Sequence, residues 1–274
     1  MSWAVVARKD FRDAVRSKSL WGVSLLFVLV MVGLSYLFAG GSSAGDGTTS
    51  IFLFFVRNAV SLVVPLAALQ VGYNSVVGER ESGSIKLLLS LPHSRRDVVV
   101  GKVLGRSAVV AVATVLAFLV AAVVLLIASS WLALGPYLVF AALTLLFGLA
   151  FTALSVGISA STDSSTKASA GAFGLYVLFA FNLWNWLPNV INYFLNDALF
   201  FRQTPEWARL LELVSPNVAY GRVLSGFVDV GDGGGQAAGT DPIYLSEWAA
   251  LGVLALWIVG SVAVGYWRFS RADL

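Results

Sequence analysis

The chain has 274 residues, 58% of them hydrophobic and 12% charged, with a mean hydropathy of +0.83. A soluble globular domain carries about a quarter charged residues and a disordered chain is poor in apolar ones, so this composition excludes both and requires a bilayer. The net charge is +3 and cysteine is absent, which excludes disulfide scaffolds, cysteine nucleophiles and thiolate metal sites while leaving the compartment open.

Residues 2–19 come first. Trp3, Ala7, Phe11, Ala14 and Val15 recur at spacings of three and four, with Arg8, Lys9, Arg12 and Arg16 mostly on the remaining face. The pattern predicts an elbow helix lying in the interface, with a plain positively charged anchor as the alternative. A crossing helix needs about 20 mostly apolar residues, and the chain offers six such runs. The first, Leu20 to Ala39, is longer than the core of a signal peptide, about 7–15 residues, and reads as a retained span.

The second run is Asn58 to Val77. Arg57 is placed at its outer end, where it can snorkel, and Pro65 is expected to bend it. Gln70, Tyr73 and Asn74 share one face; they are candidates for lining a translocation path or for hydrogen bonding to neighbouring helices. In the following loop, 78–106, Ser84 is expected to cap a short helix ended by Pro92. Ser94 and Asp97 have the spacing of a capping box for the next helix. The consecutive Leu87, Leu88 and Leu89 need cover, from a partner or from the rest of the chain.

The remaining runs are Ser107 to Ile127, Leu132 to Gly157, Ala168 to Leu187 and Trp248 to Trp267. Between the last two, residues 188–247 form the longest polar stretch. Pro205 and Pro216, each following a Ser or Thr, predict two helices, 204–214 and 215–227. With Trp184, Trp186, Tyr193 and Trp207 placed as an aromatic belt, these are expected to rest on the outer leaflet. The Gly- and Asp-rich run 229–235 lacks the spacing of a calcium loop and reads as solvated. The expected fold is an all-α integral membrane protein forming one transmembrane domain, 1–274.

Six spans put both termini on one side. That side holds fourteen of the 18 basic residues and seven of the 15 acids, a balance of +7 against −4 across the membrane. Cytoplasmic termini follow from the positive-inside rule. The cations flank helix ends instead of interleaving with aromatic residues, so a nucleic-acid partner is not expected.

The run from Gly78 to Ser84, followed by Leu87, Leu88, Leu89, Ser90 and Pro92 and then Arg95, Arg96, Gly101 and Lys102, resembles the signature loop of permease subunits of type-2 ABC exporters. Ala7 to Arg12 and Phe269 to Leu274 resemble that family's two ends. The stretch Ser161 to Ala170, with Ser215, Pro216, Asn217 and Tyr220, is similar to the membrane subunit of the copper-processing transporter that serves nitrous oxide reductase. The resemblance implies a plasma-membrane permease working as a homodimer with two copies of a separate ATPase, which would carry ATP and Mg. It implies that Glu79, Glu81 and Gly83 begin a coupling helix, that Ser84 to Pro92, including Ile85, Leu88 and Leu89, enter the ATPase groove, and that residues 160–167 form a second contact. The family often has threonine where Ser84 stands.

The residues themselves limit the alternatives. Gly101-Lys102 lacks the preceding glycine and following Ser or Thr of a phosphate-binding loop, so no nucleotide site is expected in this chain. An ion-coupled secondary transporter would place carboxylates, histidines or arginines inside its spans, and the six runs carry none between their ends. An intramembrane enzyme would need clustered ligands or a paired base, whereas the lone histidine, His93, sits in the loop. With no Cys, one His and two Met, the chain is poorly equipped to carry copper. A sulfur-containing species or another maturation factor is the better substrate expectation from the resemblance, and an extracytoplasmic accessory protein is a further candidate partner.

Overall fold

Backbone immersed in hydrocarbon must satisfy its own amides and carbonyls, which leaves a chain of this composition the helix as its spanning element. The computed structural model describes residues 2–16, 18–39, 46–90, 94–128, 133–201, 203–228 and 242–271. In chain order the helices are α1 (Ser2–Val15), α2 (Lys18–Ala39), α3 (Asp46–Gly72), α4 (Val77–Glu81), α5 (Ser84–Ser90) and α6 (Arg95–Ala128). They continue with α7 (Leu134–Ser161), α8 (Ser165–Ala180), α9 (Leu187–Asn196), α10 (Glu206–Leu213), α11 (Pro216–Phe227) and α12 (Glu247–Ser270). Ser94 and Asp97 make the predicted capping box at α6: the Asp97 amide donates to Ser94 Oγ at 3.1 Å and the Ser94 amide donates back to Asp97 Oδ2 at 3.1 Å.

α2, α3 with its continuation α4, α6, α7 and α12 are long and apolar enough to cross a membrane. The fifth sequence run, Ala168 to Leu187, is not one straight span. α8 stops at Ala180, Asn182 takes a left-handed conformation (φ 54°), and α8 meets the segment 183–196 at a bend of 62°. Asparagine tolerates that backbone region, and Pro188 starts α9 in its own direction. Among the described residues there are therefore five candidate spans, or six with the bent pair taken as one.

α7 is the axis of the bundle. Phe140, Phe147 and Phe151 are fully buried on it, between α3, α6, α11 and α12. Small and hydroxylated residues let its neighbours approach, as close packing in a membrane requires. A Cβ on Gly157 would come within 2.7 Å of Ser261 O, and one on Gly72 within 2.7 Å of the Ser155 side chain. Ser155 Oγ donates to Leu69 O at 2.7 Å, and Thr144 Oγ1 lies 2.9 Å from Tyr220 Oη.

Tyr220 overturns part of the sequence expectation. α11 does not rest on a surface: its Tyr220, Val223 and Leu224 are buried in the core, with Tyr220 stacked on Phe147 at 4.3 Å. α9 and α10 do keep exposed apolar faces, with Phe194, Leu195 and Trp207 uncovered. Two indoles tether the α10–α11 junction, Trp184 donating to Leu211 O at 2.7 Å and Trp257 to Val214 O at 2.8 Å. Ser215 stands at the N-cap of α11 without making a side-chain cap, and the N-cap of α10 is Pro205, one residue past the expected Thr204. The Gly- and Asp-rich run 229–235 lies outside the described residues.

α1 packs along the first turns of α6. Its buried stripe is Val6, Asp10 and Ala14, rotated from the face the sequence suggests, and Trp3 is exposed. Contact is close because α6 offers Gly101 and Gly105, one turn apart: a Cβ on Gly101 would meet Trp3 O at 2.8 Å, and one on Gly105 would meet Ala7 O at 2.7 Å. Replacing both glycines by alanine is expected to push α1 off α6 and destabilise the fold by about 1–3 kcal/mol. Thermal unfolding in detergent with limited proteolysis checks this; an unchanged midpoint and unchanged protection of residues 2–15 would refute the packing.

Candidate functional site

One end of the bundle gathers α1, the C-terminal end of α3, α4, α5, the first turns of α6, the α7–α8 turn and the end of α12. Its centre is ionic. Asp10, with its side chain 5% exposed, accepts from Arg106 Nε at 2.6 Å, Arg106 Nη2 at 3.1 Å and Lys102 Nζ at 3.3 Å. Lys102, 2% exposed, also reaches Glu79 Oε1 at 3.0 Å, and the exposed Lys9 meets the same oxygen at 3.2 Å. Arg106 Nη1 donates to Val71 O at 3.1 Å, satisfying a carbonyl left over at the end of α3. These groups tie α1, α3, α4 and α6 into one unit. A charge this far from water is tolerated only when paired, and here each carboxylate faces more than one cation.

α4 is anchored on its other side as well. The amides of Val76 and Val77, orphan donors at its start, both donate to Ser159 Oγ of α7, at 2.9 and 3.1 Å. Arg80 donates to Thr162 O at 2.8 Å. Glu81 accepts from the Ser165 amide and from Ser165 Oγ, each at 2.7 Å, so its carboxylate sits on the positive first turn of α8. Beside it the exposed Lys167 donates to Asp163 at 2.9 Å, a hydrogen bond that holds the Asp163 carboxyl below the ordinary carboxylate range.

Gly83 turns the chain between α4 and α5 with φ 72°, a backbone region that costs glycine little. Ser84 is the first residue of α5 and not its cap; its Oγ donates back to Glu79 O at 3.4 Å and lies 2.9 Å from Ser82 Oγ. Ile85 and Leu88 are buried against Val76, Val98, Val99, Val103, Val156 and Phe269. The cover for these two comes from the chain itself. Leu89 carries no described side-chain placement, and Pro92 and His93 lie outside the described residues. What α5 turns outward is polar: Ser82 before it, then Lys86 and Ser90, are exposed. Arg95, at the start of α6, donates to Phe269 O at 2.8 Å and Ser270 O at 3.0 Å, closing the end onto α12.

Of the residues read from the sequence as ATPase-coupling, Glu79, Glu81, Gly83, Ser84, Ile85 and Leu88 are thus brought together, but with divided duties. Glu79, Glu81, Ile85 and Leu88 are engaged by their own chain, and the outward surface is formed by Ser82, Lys86, Ser90, Asp163, Thr166 and Lys167. Gln70, Tyr73 and Asn74 stand at the same end of α3; Gln70 and Asn74 are exposed on the protomer and Tyr73 is half-buried. Sequence reasoning missed Asp10, Lys102, Arg106 and Ser159. The legible signal was the four-residue step from Lys102 to Arg106, matching the step from Val6 to Asp10. Arg57 is a second miss. α3 begins at Asp46, so this cation lies well inside a helix and not at its outer end. Among the described residues no group of three or more His, Cys, Asp or Glu converges as a metal site.

A family model described as "ABC-2 family transporter protein" matches residues 4–274. The chain is 31% identical over 280 residues to a probable ABC transporter permease protein NosY of Pseudomonas aeruginosa, covering 98% of both chains. It is 31% identical over 282 residues to a protein of the same description from Stutzerimonas stutzeri, covering 97% of both.

Removing one member of the ionic centre takes a partner from charges that water hardly reaches. Asp10→Asn is expected to destabilise the protein by about 3–5 kcal/mol, because Lys102 loses a partner where it cannot hydrate. The double change with Lys102→Met is expected to recover part of the loss. Thermal midpoints of the single and double variants decide it; strictly additive losses would contradict the coupling.

Proposed function

The chain belongs to the ABC-2 family of transporter proteins and resembles its NosY-like permeases, and on that premise we propose that it transmits the work of a separate ATPase into a membrane bundle. It is read as the membrane-spanning subunit of an ATP-driven transporter of the plasma membrane, with both termini cytoplasmic. Two copies form a homodimer, and each engages one ATPase chain, which holds ATP and Mg. This subunit is not an enzyme by itself.

The observation that carries the reading is the way α4 and α5 are mounted. They present Ser82, Lys86 and Ser90 outward, while Glu79, Arg80, Glu81 and Ile85 bind them to α1, α6, α7 and α8 at the same end. A short helix pair held this firmly passes a push on its polar face to several long helices at once. It moves as a rigid lever because its charged and apolar contacts leave it no independent path. The exposed Asp163, Thr166 and Lys167 extend the same face, which supports residues 160–167 as a second contact.

The NosY-like resemblance also supports a role in maturation of a copper enzyme. Soft copper favours thiolate, thioether and imidazole ligands, in which this chain is poor. We therefore assign as cargo a sulfur-containing species or maturation factor, and not copper. α9 and α10, with their uncovered aromatic and aliphatic side chains, are the surface to which an extracytoplasmic accessory protein is assigned.

The coupling reading is tested on the outward face, where substitution does not disturb the ionic centre. Lys86→Glu combined with Ser90→Glu is expected to reduce co-purification of the cognate ATPase at least about tenfold, the effect of a like-charge clash at a docking surface, while the permease keeps its thermal midpoint. Undiminished capture by the folded variant would remove α5 from the interface.

A further inference from the structure

On the flank of the bundle, α7 and α12 border an apolar slot of about 510 Å3, within the range of about 300–1,000 Å3 usual for ligand pockets. Leu154, Ile158 and Thr162 line it from α7, and Trp257, Gly260 and Val264 from α12. The two helices meet closely beside it because Gly157 lies against the Ser261 carbonyl, where a Cβ would come within 2.7 Å. Gly260 is the opposite case: a Cβ there would meet nothing within 4 Å, so at this point the slot is open space. Two hydroxyls that could make it polar are spent within α7, Ser161 Oγ donating to Gly157 O at 2.7 Å and Thr162 Oγ1 to Ile158 O at 3.1 Å. Leu256 and Val264, both of which line it, are exposed, so the slot opens to the hydrocarbon around the bundle.

The same face of α12 changes character toward its C-terminal end. Val253, Trp257, Gly260 and Val264 follow one another at steps of three and four, and the next members of that stripe are Arg268 and Arg271. Both arginines are exposed, and each guanidinium lies over the Trp267 ring, at 5.6 and 4.4 Å from its centroid. Neither meets a carboxylate among the described residues. The last carbonyls of α12, which basic side chains often serve, are taken by Arg95. From Val253 to Val264 the slot runs along α12 for roughly 16 Å at about 1.5 Å per residue, close to the roughly 15 Å of hydrocarbon in one leaflet. The two cations begin one turn farther on, at the depth of that leaflet's head groups, where Tyr266 and Trp267, 40% and 48% exposed, have the placement of interfacial anchors.

We propose that this face of α7 and α12 binds one anionic phospholipid, with an acyl chain lying in the slot and the phosphate held by Arg268 and Arg271. Guanidinium groups match phosphate oxygens in geometry as well as in charge, and a chain that enters from the leaflet at this end brings its head to the level of the two cations. A second copy of this protein fits the face less well. Copies related by an axis along the membrane normal sit at equal depth, so Arg268 and Arg271 would meet their own counterparts in a like-charge contact. The site requires no ATPase, and it stands whether or not the coupling reading does.

Full-length protein in detergent is titrated with dioleoyl phosphatidylglycerol and with dioleoyl phosphatidylcholine, and bound lipid is read by native mass spectrometry. Phosphatidylglycerol is expected to bind at least about tenfold more tightly, the effect of two cations beside an anionic head. Arg268→Gln with Arg271→Gln is expected to remove that preference while leaving phosphatidylcholine binding unchanged. Gly260→Leu, which places a side chain in open space, is expected to lose binding of both lipids at an unchanged thermal midpoint. Because Arg268 and Arg271 are exposed, the head-group comparison reads out independently of how the slot variant folds. Equal affinity of the unaltered protein for the two lipids, a preference that survives the double arginine change, or undiminished binding to folded Gly260→Leu would overturn the proposal. So would a dimer dissociated by Gly260→Leu with lipid affinity unaltered, which would give the face to a second copy.

Discussion

The end of the bundle where α1, α4 and the first turns of α6 meet depends on a carboxylate that has almost no access to water. Asp10 is held between Lys102 and Arg106, and Lys102, itself almost without access to water, has only Glu79 beside Asp10 to offset its charge. In a low-dielectric setting this makes the cluster close to all-or-none: intact, it holds, and with one member displaced, an unpaired charge remains. Two glycines on α6 are its precondition. Only where the backbones of α1 and α6 touch does a side chain as short as aspartate reach both cations. Packing and electrostatics are here a single constraint, and the placement of α4 through Glu79 follows from it.

A second theme is that breaks in the helices are repaired by side chains from other helices. Between α3 and α4 the turn is closed by Arg106 on one carbonyl and Ser159 on two amides. Where α8 stops, Asn217 accepts the duty for Phe179 O. The junction of α10 and α11 is held by two indoles. Water would do this work in a soluble protein. In a bundle surrounded by lipid the donors must come from the chain, and each such repair also fixes how neighbouring elements sit.

Those repairs explain what was legible in the sequence. Helix positions, the capping box at Ser94 and Asp97, and the two helices after Pro205 and Ser215 are local signals of hydropathy, spacing and proline, and they appear in the structure. The family was legible too, from the run Gly78 to Pro92. The break at Asn182 was hidden because the apolar run continues through it unchanged. The insertion of α11 was hidden because its segment is of mixed polarity; what fixes it is Tyr220 finding Phe147 and Thr144, a pairing across the fold. Asp10 is hidden among the charges of residues 2–19, since a one-dimensional pattern cannot show that its partners lie more than ninety residues away.

The distribution of charge bears on where energy enters. By sequence the spans looked empty of ionisable groups, and the structure qualifies this: Arg57 lies within α3, and Lys102 and Arg106 lie within the first turns of α6. The qualification does not restore an ion pathway. Arg57 lines a polar cavity at one end, and the buried ionic cluster stands at the other. Between them α3 from Asn58 to Gly72, α6 from Ser107 to Ala128 and the whole of α7 carry no Asp, Glu, Lys, Arg or His. A proton or cation relay needs stepping stones through the middle of the bundle, whereas a mechanical device needs rigid connections at its ends. The charges meet the second requirement: they lock short elements to long ones at one end of the bundle, and the middle is built of packed, uncharged helices.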